Sequence, residues 1–514
     1  MYFLTKNFDS FTQTLLTLEF GSANPQPGLH YFEPFCLLNK TNYYEKRIGE
    51  KFLVLNSNTG AWCFLSPQEN SILQRINGIT SKTLQEYFPM IDIKTLEEFL
   101  FYLYIRNIIT INNQTFIDET LFNDTPLKKL DPLFIVEPTK RCNLRCTYCF
   151  AKCNSESQPV MNEKSALRII ELILDSDFNN ITIEFSGGEA LLEFDFIQYF
   201  VNELKKKLAS SDRPDREVLL TMQTNATLLD ENKLDFLLEN DISFGFSLDG
   251  GENENNFTRK YPNGKGTYND IAKAIKLTHS KGRGIGIISV LTKNNCKNHI
   301  QSLNSYKELG LLSIKLNPIF PGGRAEENWN ELAISDSEIL AVQQQYLDYF
   351  VAESEPVMEG NVLQMFENVS TCMRNYRCML SCCGAGENMF TFAPNGNIYL
   401  CARYQDKEEY CIGHIDDPDI RMQNLYQDNA LITALRSRKV ANIEKCKKCV
   451  YRRFCEGNCS LASYEAFGDW RHSHPNCDYY HGTYDQIFDY LSRYEDLPKK
   501  LDEDLIIFNR SFDQ

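Results

Sequence analysis

A chain of 514 residues is too long for one hydrophobic core, and at roughly 100–200 residues per domain it is expected to fold as about three. With 43% hydrophobic and 24% charged residues it is not a disordered polymer. Its net charge of −16, 53 basic against 69 acidic residues without a long Lys/Arg run, argues against a nucleic-acid partner.

The N-terminal segment MYFLTKNFDSF is interrupted by polar residues and does not read as a signal peptide. The most apolar local run, Phe99 to Ile105, is far short of the ~20 residues that cross a bilayer. A cytoplasmic protein with no membrane association is the expectation. Within residues 1–120, KFLVLNSNTGAWCFL (51–65) reads as a hairpin whose turn, Asn-Ser-Asn-Thr-Gly, contains residues that tolerate positive φ. Pro67 then opens a helix, where its missing N–H costs nothing. Further helices are predicted over Ser81–Tyr87 and Thr95–Asn107, followed by a strand (NIITI) and a turn at Asn112–Asn113. A hairpin with three short helices suggests a winged-helix-like module, with residues 121–131 as its linker.

From 132 to 320 strand and helix alternate. Strands are predicted at Phe134–Glu137, Ile181–Phe185, Val218–Gln223, Ile242–Leu248, Gly284–Leu291 and Leu312–Asn317. Helical patterns lie between them at Glu163–Leu174, Phe194–Leu208, Glu231–Asn240, Tyr268–Lys281 and Asn298–Leu309. Such alternation argues for parallel βα units, and six units make an α/β partial (β/α)6 TIM barrel, short of eight. Ligand chemistry then belongs at the carboxyl ends of the strands. Residues 321–371 read as a helical connector, 372–480 as a Cys-rich domain with little regular pattern, and 481–514 as a helical tail.

Cysteine usage is the anomaly. There are 18, mostly in two groups, Cys142–Cys153 and Cys372–Cys477. Without a secretory signal this points to metal or redox chemistry rather than disulfides. Directly after the first predicted barrel strand stands TKRCNLRCTYCF, in which Cys142, Cys146 and Cys149 are spaced C-x3-C-x2-C. Three thiolates on one loop can hold three corners of a [4Fe–4S] cluster and leave the fourth iron open; taken alone, the spacing also admits a zinc knuckle. At the next strand tip stands Ser186-Gly187-Gly188-Glu189.

These two motifs resemble those of the radical S-adenosylmethionine superfamily, including the aromatic residue, Tyr148, before the last Cys. The resemblance implies that the cluster passes one electron to S-adenosylmethionine, giving methionine and a 5′-deoxyadenosyl radical that takes hydrogen from substrate. It implies that Gly187, Gly188 and Glu189 receive the cofactor's amino group. It further implies that Asn225, Ser247, Asp249 and Arg259, at or just beyond later strand tips, meet its ribose and amino-acid portions, a carboxylate suiting the Arg259 fork.

Farther on, Cys446-x2-Cys449-x5-Cys455-x3-Cys459 and Cys477 follow Cys383-Gly-Ala-Gly and Gly396-x4-Cys401. The four-Cys run alone admits a structural zinc site. Together these elements resemble the SPASM domain, which implies two auxiliary clusters: one on Cys446, Cys449, Cys455 and Cys477, the other on Cys383, Cys401, Cys459 and Cys378, with Cys372 and Cys382 as rivals for the last place. The other cysteines, Cys153 among them, read mainly as small buried hydrophobes. Three four-iron clusters would give roughly twelve irons per chain.

Anaerobic sulfatase-maturating enzymes of the SPASM type carry an Asp after the cysteine matching Cys401, and this chain has Ala402. The N-terminal module resembles the PqqD-like elements of ribosomal-peptide maturases, which implies that residues 1–120 bind a leader peptide as an added strand. HYFEPF, LVLNSNTG and GGEALL also resemble the His-Xaa-Ser system maturases. The expected function is a peptide maturase forming a thioether or C–C crosslink in a ribosomally made precursor, reduced by a flavodoxin- or ferredoxin-like partner. The alternatives are a sulfatase-maturating-type side-chain oxidase and a non-catalytic Cys-rich zinc and peptide-binding protein. Asp416 and Glu387 lie in the right region for a catalytic base but read as surface residues.

Overall fold

A computed structural model describes residues 35–119, 131–156, 159–213, 215–370, 385, 388–404, 407–422, 425, 429–494 and 496–497. By contact they gather into two compact units. The first draws on Met1–Lys129, Gln364–Ser381 and Arg438–Leu501, and the second on Leu130–Leu363, Cys382–Ser437 and Asp502–Gln514.

In the first unit, β2 (Tyr44–Ile48), β3 (Lys51–Leu55) and β4 (Trp62–Leu65) form an antiparallel sheet, of which β3–β4 is the hairpin expected from the sequence. A second small sheet has the order β5-β1-β6, from Ile79–Thr80, Leu37–Lys40 and Ile109–Ile111. Three helices accompany them: α1 (Pro67–Arg75), α2 (Ser81–Tyr87) and α3 (Ile93–Tyr104). The start of α1 is closed by a capping box: the Ser66 hydroxyl accepts from the Glu69 amide, and Glu69 accepts from the Ser66 amide. Asn112 and Asn113 adopt φ of 51° and 64°, as the turn reading required. The helix Cys477–Arg493 belongs to this unit and packs Phe488 edge-on to Trp62, with ring centroids 5.1 Å apart. Its Asp485 pairs with Lys46 of β2.

The second unit is built on one sheet of order β13-β12-β11-β10-β9-β8-β7-β14-β15-β16. The six expected strands are β7 (Leu133–Val136), β8 (Asn180–Phe185), β9 (Glu217–Thr224), β10 (Ile242–Ser247), β11 (Gly286–Leu291) and β12 (Ser313–Pro318), all parallel. Between them run α4 (Glu163–Leu174), α5 (Phe194–Ala209), α6 (Glu231–Glu239), α7 (Glu252–Thr258), α8 (Tyr268–Ser280) and α9 (His299–Glu308). Ile183 and Phe185 of β8 are wholly buried, and Phe185 meets Phe200 of α5 at 5.4 Å. Each such side chain contributes about 1.5–3 kcal/mol by leaving water.

Two differences from the sequence reading concern the sheet's edges. The connector contributes a seventh parallel strand, β13 (Met358–Glu359), beside β12. Two residues are too few for periodicity to reveal. The Cys-rich region, expected to be irregular, contains β14 (Met389–Phe392), β15 (Asn397–Tyr399) and β16 (Cys411–His414). β14 runs parallel to β7, with Phe390 opposite Phe134 and the two rings stacked 6.0 Å apart. This pairing joins segments some 250 residues apart, which no local pattern encodes.

Candidate functional site

The loop from Thr139 to Cys153 leaves the carboxyl end of β7 and is gripped by backbone on several sides. The Gly188 amide donates to Thr139 O at 3.0 Å, and the Glu189 amide donates to Arg141 O at 2.9 Å. On the opposite flank the Arg145 amide donates to Lys260 O at 2.7 Å, and the Thr147 amide to Thr258 O at 2.9 Å. The glycines at the tip of β8 are explained by this contact. A Cβ on Gly187, whose φ is 114°, would lie 2.6 Å from Thr139 O, and one on Gly188 would lie 2.1 Å from Arg141 O.

Cys142, Cys146 and Cys149 pack in one cluster with Leu144, and the loop's fourth cysteine, Cys153, joins them. Burial, with Glu189 nearby, pushes the Cys142 thiol up to about 12. Burial raises Cys146 to about 11 against the pull of Arg259 and Arg324. The hydrogen bond from Cys153 draws Cys149 down and Cys153 correspondingly up. Such thiols lose their protons when a metal takes the proton's place. Among the described residues no three His, Cys, Asp or Glu side chains converge on a single-ion site.

Glu189 is 2% exposed and accepts from Thr224 Oγ1 at 2.6 Å, the Asn225 amide at 2.8 Å and the Leu191 amide at 3.1 Å. Desolvation raises its carboxyl above the ordinary range, against these hydrogen bonds. Asn225 Nδ2 donates to Asn143 Oδ1 at 2.9 Å and stands 3.9 Å from Cys142 Sγ. The turn that aims it includes Ala226 at φ 62°, a left-handed conformation an alanine adopts only at a cost. Ser247 accepts from Gln223 Nε2 at 3.3 Å.

Asp249 and Arg259 form a buried ion pair, Nε to Oδ2 at 3.1 Å. The same oxygen accepts from Tyr148 Oη at 2.5 Å and Thr258 Oγ1 at 2.8 Å, and Oδ1 accepts from the Val290 amide at 2.9 Å. The Arg259 guanidinium also lies 5.4 Å from the Tyr148 ring centroid. Tyr148, Asp249 and Arg259 therefore brace one another and, through Tyr148, the cysteine loop.

Sequence reasoning missed Arg324 and Asn328. The turn Arg324–Glu327 follows β12, and Arg324 is 8% exposed. Its Nε donates to Cys146 O and its Nη1 to Cys153 O, both at 2.8 Å, and its amide donates to Cys149 O at 3.0 Å. Asn328 Nδ2 donates to Thr147 O at 3.0 Å. The available signal was position alone: Gly322-Gly323-Arg324 lies just beyond the last predicted barrel strand.

In the first unit, Cys446, Cys449, Cys455 and Cys477 line one cavity of about 180 Å³, with Tyr451 and His481 in its wall. Burial, reinforced by Cys455 and Cys477, pushes the Cys446 thiol up to about 12. Three successive left-handed residues, Glu456, Gly457 and Asn458, turn the chain between Cys455 and Cys459. Arg438 holds that turn by donating to Gly457 O at 2.7 Å and Asn458 O at 3.1 Å. Cys401 follows β15 in the second unit, whereas Cys459 lies in the first. Cys378, Cys383, Cys372, Cys382, Glu387 and most of HYFEPF lie outside the described residues.

Residues 136–303 match the model of the Radical SAM superfamily, and residues 382–450 that of SPASM, an iron-sulfur cluster-binding domain. The chain carries a radical SAM domain and a SPASM domain. It is a radical SAM enzyme, and its domains imply [4Fe–4S] clusters and S-adenosylmethionine. Among relatives is the cysteine-type anaerobic sulfatase-maturating enzyme of Clostridium perfringens strain 13, 24% identical over 378 residues, 70% of this chain and 95% of that one. The fold is similar to that of anSMEcpe with bound AdoMet and the Cp18Cys peptide (TM-score 0.62, 22% identity, 70% of this chain and 98% of that one). It is also similar to Streptococcus suis SuiB bound to its precursor peptide SuiA (TM-score 0.51, 16% identity, 86% and 99%). No helix among the described residues is long and apolar enough to cross a membrane.

Proposed function

We infer that Cys142, Cys146 and Cys149 hold the radical SAM domain's cluster and that the enzyme matures a ribosomally made precursor peptide, forming a thioether or C–C crosslink within it. The observation that carries the first part is their packing in one cluster, braced by the strand tips of β8, β9 and β10. When bound, the cluster and S-adenosylmethionine together supply a 5′-deoxyadenosyl radical able to take a hydrogen atom from substrate. The protein's own work is to hold that loop in place: Gly187 and Gly188 admit it, and Tyr148, Asp249 and Arg259 fix its far side. Glu189 and Asn225 offer acceptor and donor groups for the cofactor's amino-acid and ribose portions, with Ser247 at the adjoining tip. The cavity of Cys446, Cys449, Cys455 and Cys477 fits an auxiliary cluster in donor type and enclosure. The resemblance to SPASM implies a second auxiliary cluster on Cys383, Cys401, Cys459 and Cys378, with Cys372 and Cys382 as rivals for the last place.

For the substrate, the likeness to SuiB supports a precursor peptide. A span of 86% is longer than residues 121–514, so it takes in part of the N-terminal module. That module is the candidate leader-binding element, and tethering a leader there raises the local concentration of the core peptide. Similarity to sulfatase-maturating enzymes favours a second reading, side-chain oxidation to formylglycine, which Ala402 after Cys401 speaks against. A flavodoxin- or ferredoxin-like reductant in the cytoplasm completes the proposal.

The test is anaerobic incubation of the reconstituted enzyme with S-adenosylmethionine, reductant and a candidate precursor peptide. Mass spectrometry should find the peptide lighter by two hydrogens, alongside 5′-deoxyadenosine. Oxidation of a sulfatase-derived cysteine peptide, with the precursor peptide left unchanged, would establish the second reading instead.

A further inference from the structure

Arg259 and Arg324 are both buried beside the cysteine loop, and they differ in one respect. Arg259 has Asp249 as its counter-ion at 3.1 Å. Among the described residues Arg324 meets backbone carbonyls, Cys146 O and Cys153 O, and no carboxylate within ion-pair distance. A buried guanidinium without an opposite charge is unfavourable. Its guanidinium lies against the loop that carries Cys146, Cys149 and Cys153. The approach is also enforced by the backbone. Gly323 sits at φ 60°, and a Cβ there would lie 2.2 Å from Phe150 O and 2.4 Å from Cys149 O.

We propose that Arg324 is the counter-ion of the radical cluster and a positioning residue for its loop. This rests on the reading that Cys142, Cys146 and Cys149 ligate that cluster. Three thiolates make the site net negative, which supplies the charge Arg324 lacks. Its fork, its amide and Asn328 together hold four carbonyls of the loop, at Cys146, Thr147, Cys149 and Cys153. A fixed positive charge against that loop favours addition of the one electron that a chemical reductant supplies, because cluster potential follows local charge and hydrogen bonding.

The test uses full-length, anaerobically reconstituted enzyme and the reduced-cluster electron paramagnetic resonance signal that changes on adding S-adenosylmethionine. In R324Q the midpoint of that signal should move to more negative potential. 5′-Deoxyadenosine release should then fall about tenfold with a weak reductant, equivalent to ~1.4 kcal/mol, and recover with a strong one. R324K keeps the charge without the planar fork. Its midpoint should stay near that of the unaltered enzyme, while a chelator removes its iron faster. Asn328→Ala should likewise speed iron loss without moving the midpoint.

An R324Q enzyme whose cluster titrates at the unaltered midpoint overturns the charge role. Should R324Q not retain the cluster, the decision passes to R324K. A lysine enzyme that also fails to retain it, or whose midpoint moves negative, overturns the proposal as well. A C142A/C146A/C149A enzyme that still shows the cofactor-responsive signal would instead remove the ligand assignment itself, separately from Arg324.

Discussion

A methyl group at position 188 would sit 2.1 Å from Arg141 O, and the obstacle is backbone that cannot rotate away. Gly188→Ala should therefore displace the loop that carries Cys142 while leaving the sheet folded. 5′-Deoxyadenosine formation should drop by about 100-fold or more, the scale of a 1 Å misplacement, with the circular dichroism of the helices retained. At Asp249 the expected fault is thermodynamic. Asp249→Asn leaves Arg259 buried without its charge partner and should cost about 3–5 kcal/mol in denaturant titrations. The cysteine spacing and the Gly-Gly-Glu at the next strand tip were legible in the sequence because each is a local pattern. Arg324 was not, since its partners lie more than 170 residues away and a lone arginine in a glycine-containing loop has no periodicity or spacing to betray it. Cys153 was read as a small hydrophobe, and its neighbours, not its burial, distinguish it.

At the scale of elements, the six barrel strands announced themselves by alternating with amphipathic helices, whereas β13 and β14 did not. β13 is too short, and β14 finds its partner β7 across the whole barrel sequence. The element most dependent on metal in our reading is the stretch Cys446–Cys459 with the start of helix Cys477–Arg493. Its left-handed turn and short helical pieces pack Tyr451 and Phe454 on the helix Cys477–Arg493, while its thiols face the cavity. Stripping iron by chelation should increase amide hydrogen exchange there, while α4 and α5, packed on the parallel sheet, keep their protection. Equal loss of protection in both places would show that the cavity is not a separately metal-stabilised element.

For the whole molecule, the first unit is discontinuous, and this governs how the chain can be divided. Trp62 is 6% exposed, lies against Phe488 and donates its indole N–H to Val369 O at 2.9 Å. Removal of residues 1–119 would uncover the Phe488 face of the C-terminal helix, so the shortened protein should melt lower and aggregate, beyond any loss of peptide binding. Trp62→Ala reports the same contact more gently and should lower stability by about 3–5 kcal/mol, read from thermal or denaturant melts of the apoprotein.

The same discontinuity sets a timetable for synthesis. Residues 35–119 leave the ribosome long before 438–497, against which they close. At about 5–20 residues per second the interval is roughly 15–60 s. Throughout that wait the indole of Trp62 has nowhere to go, and the thiols at 446 to 477 do not yet exist. Nascent chains should therefore recruit holding chaperones early, and filling of the 446–477 cavity must come well after residues 35–119 have been made.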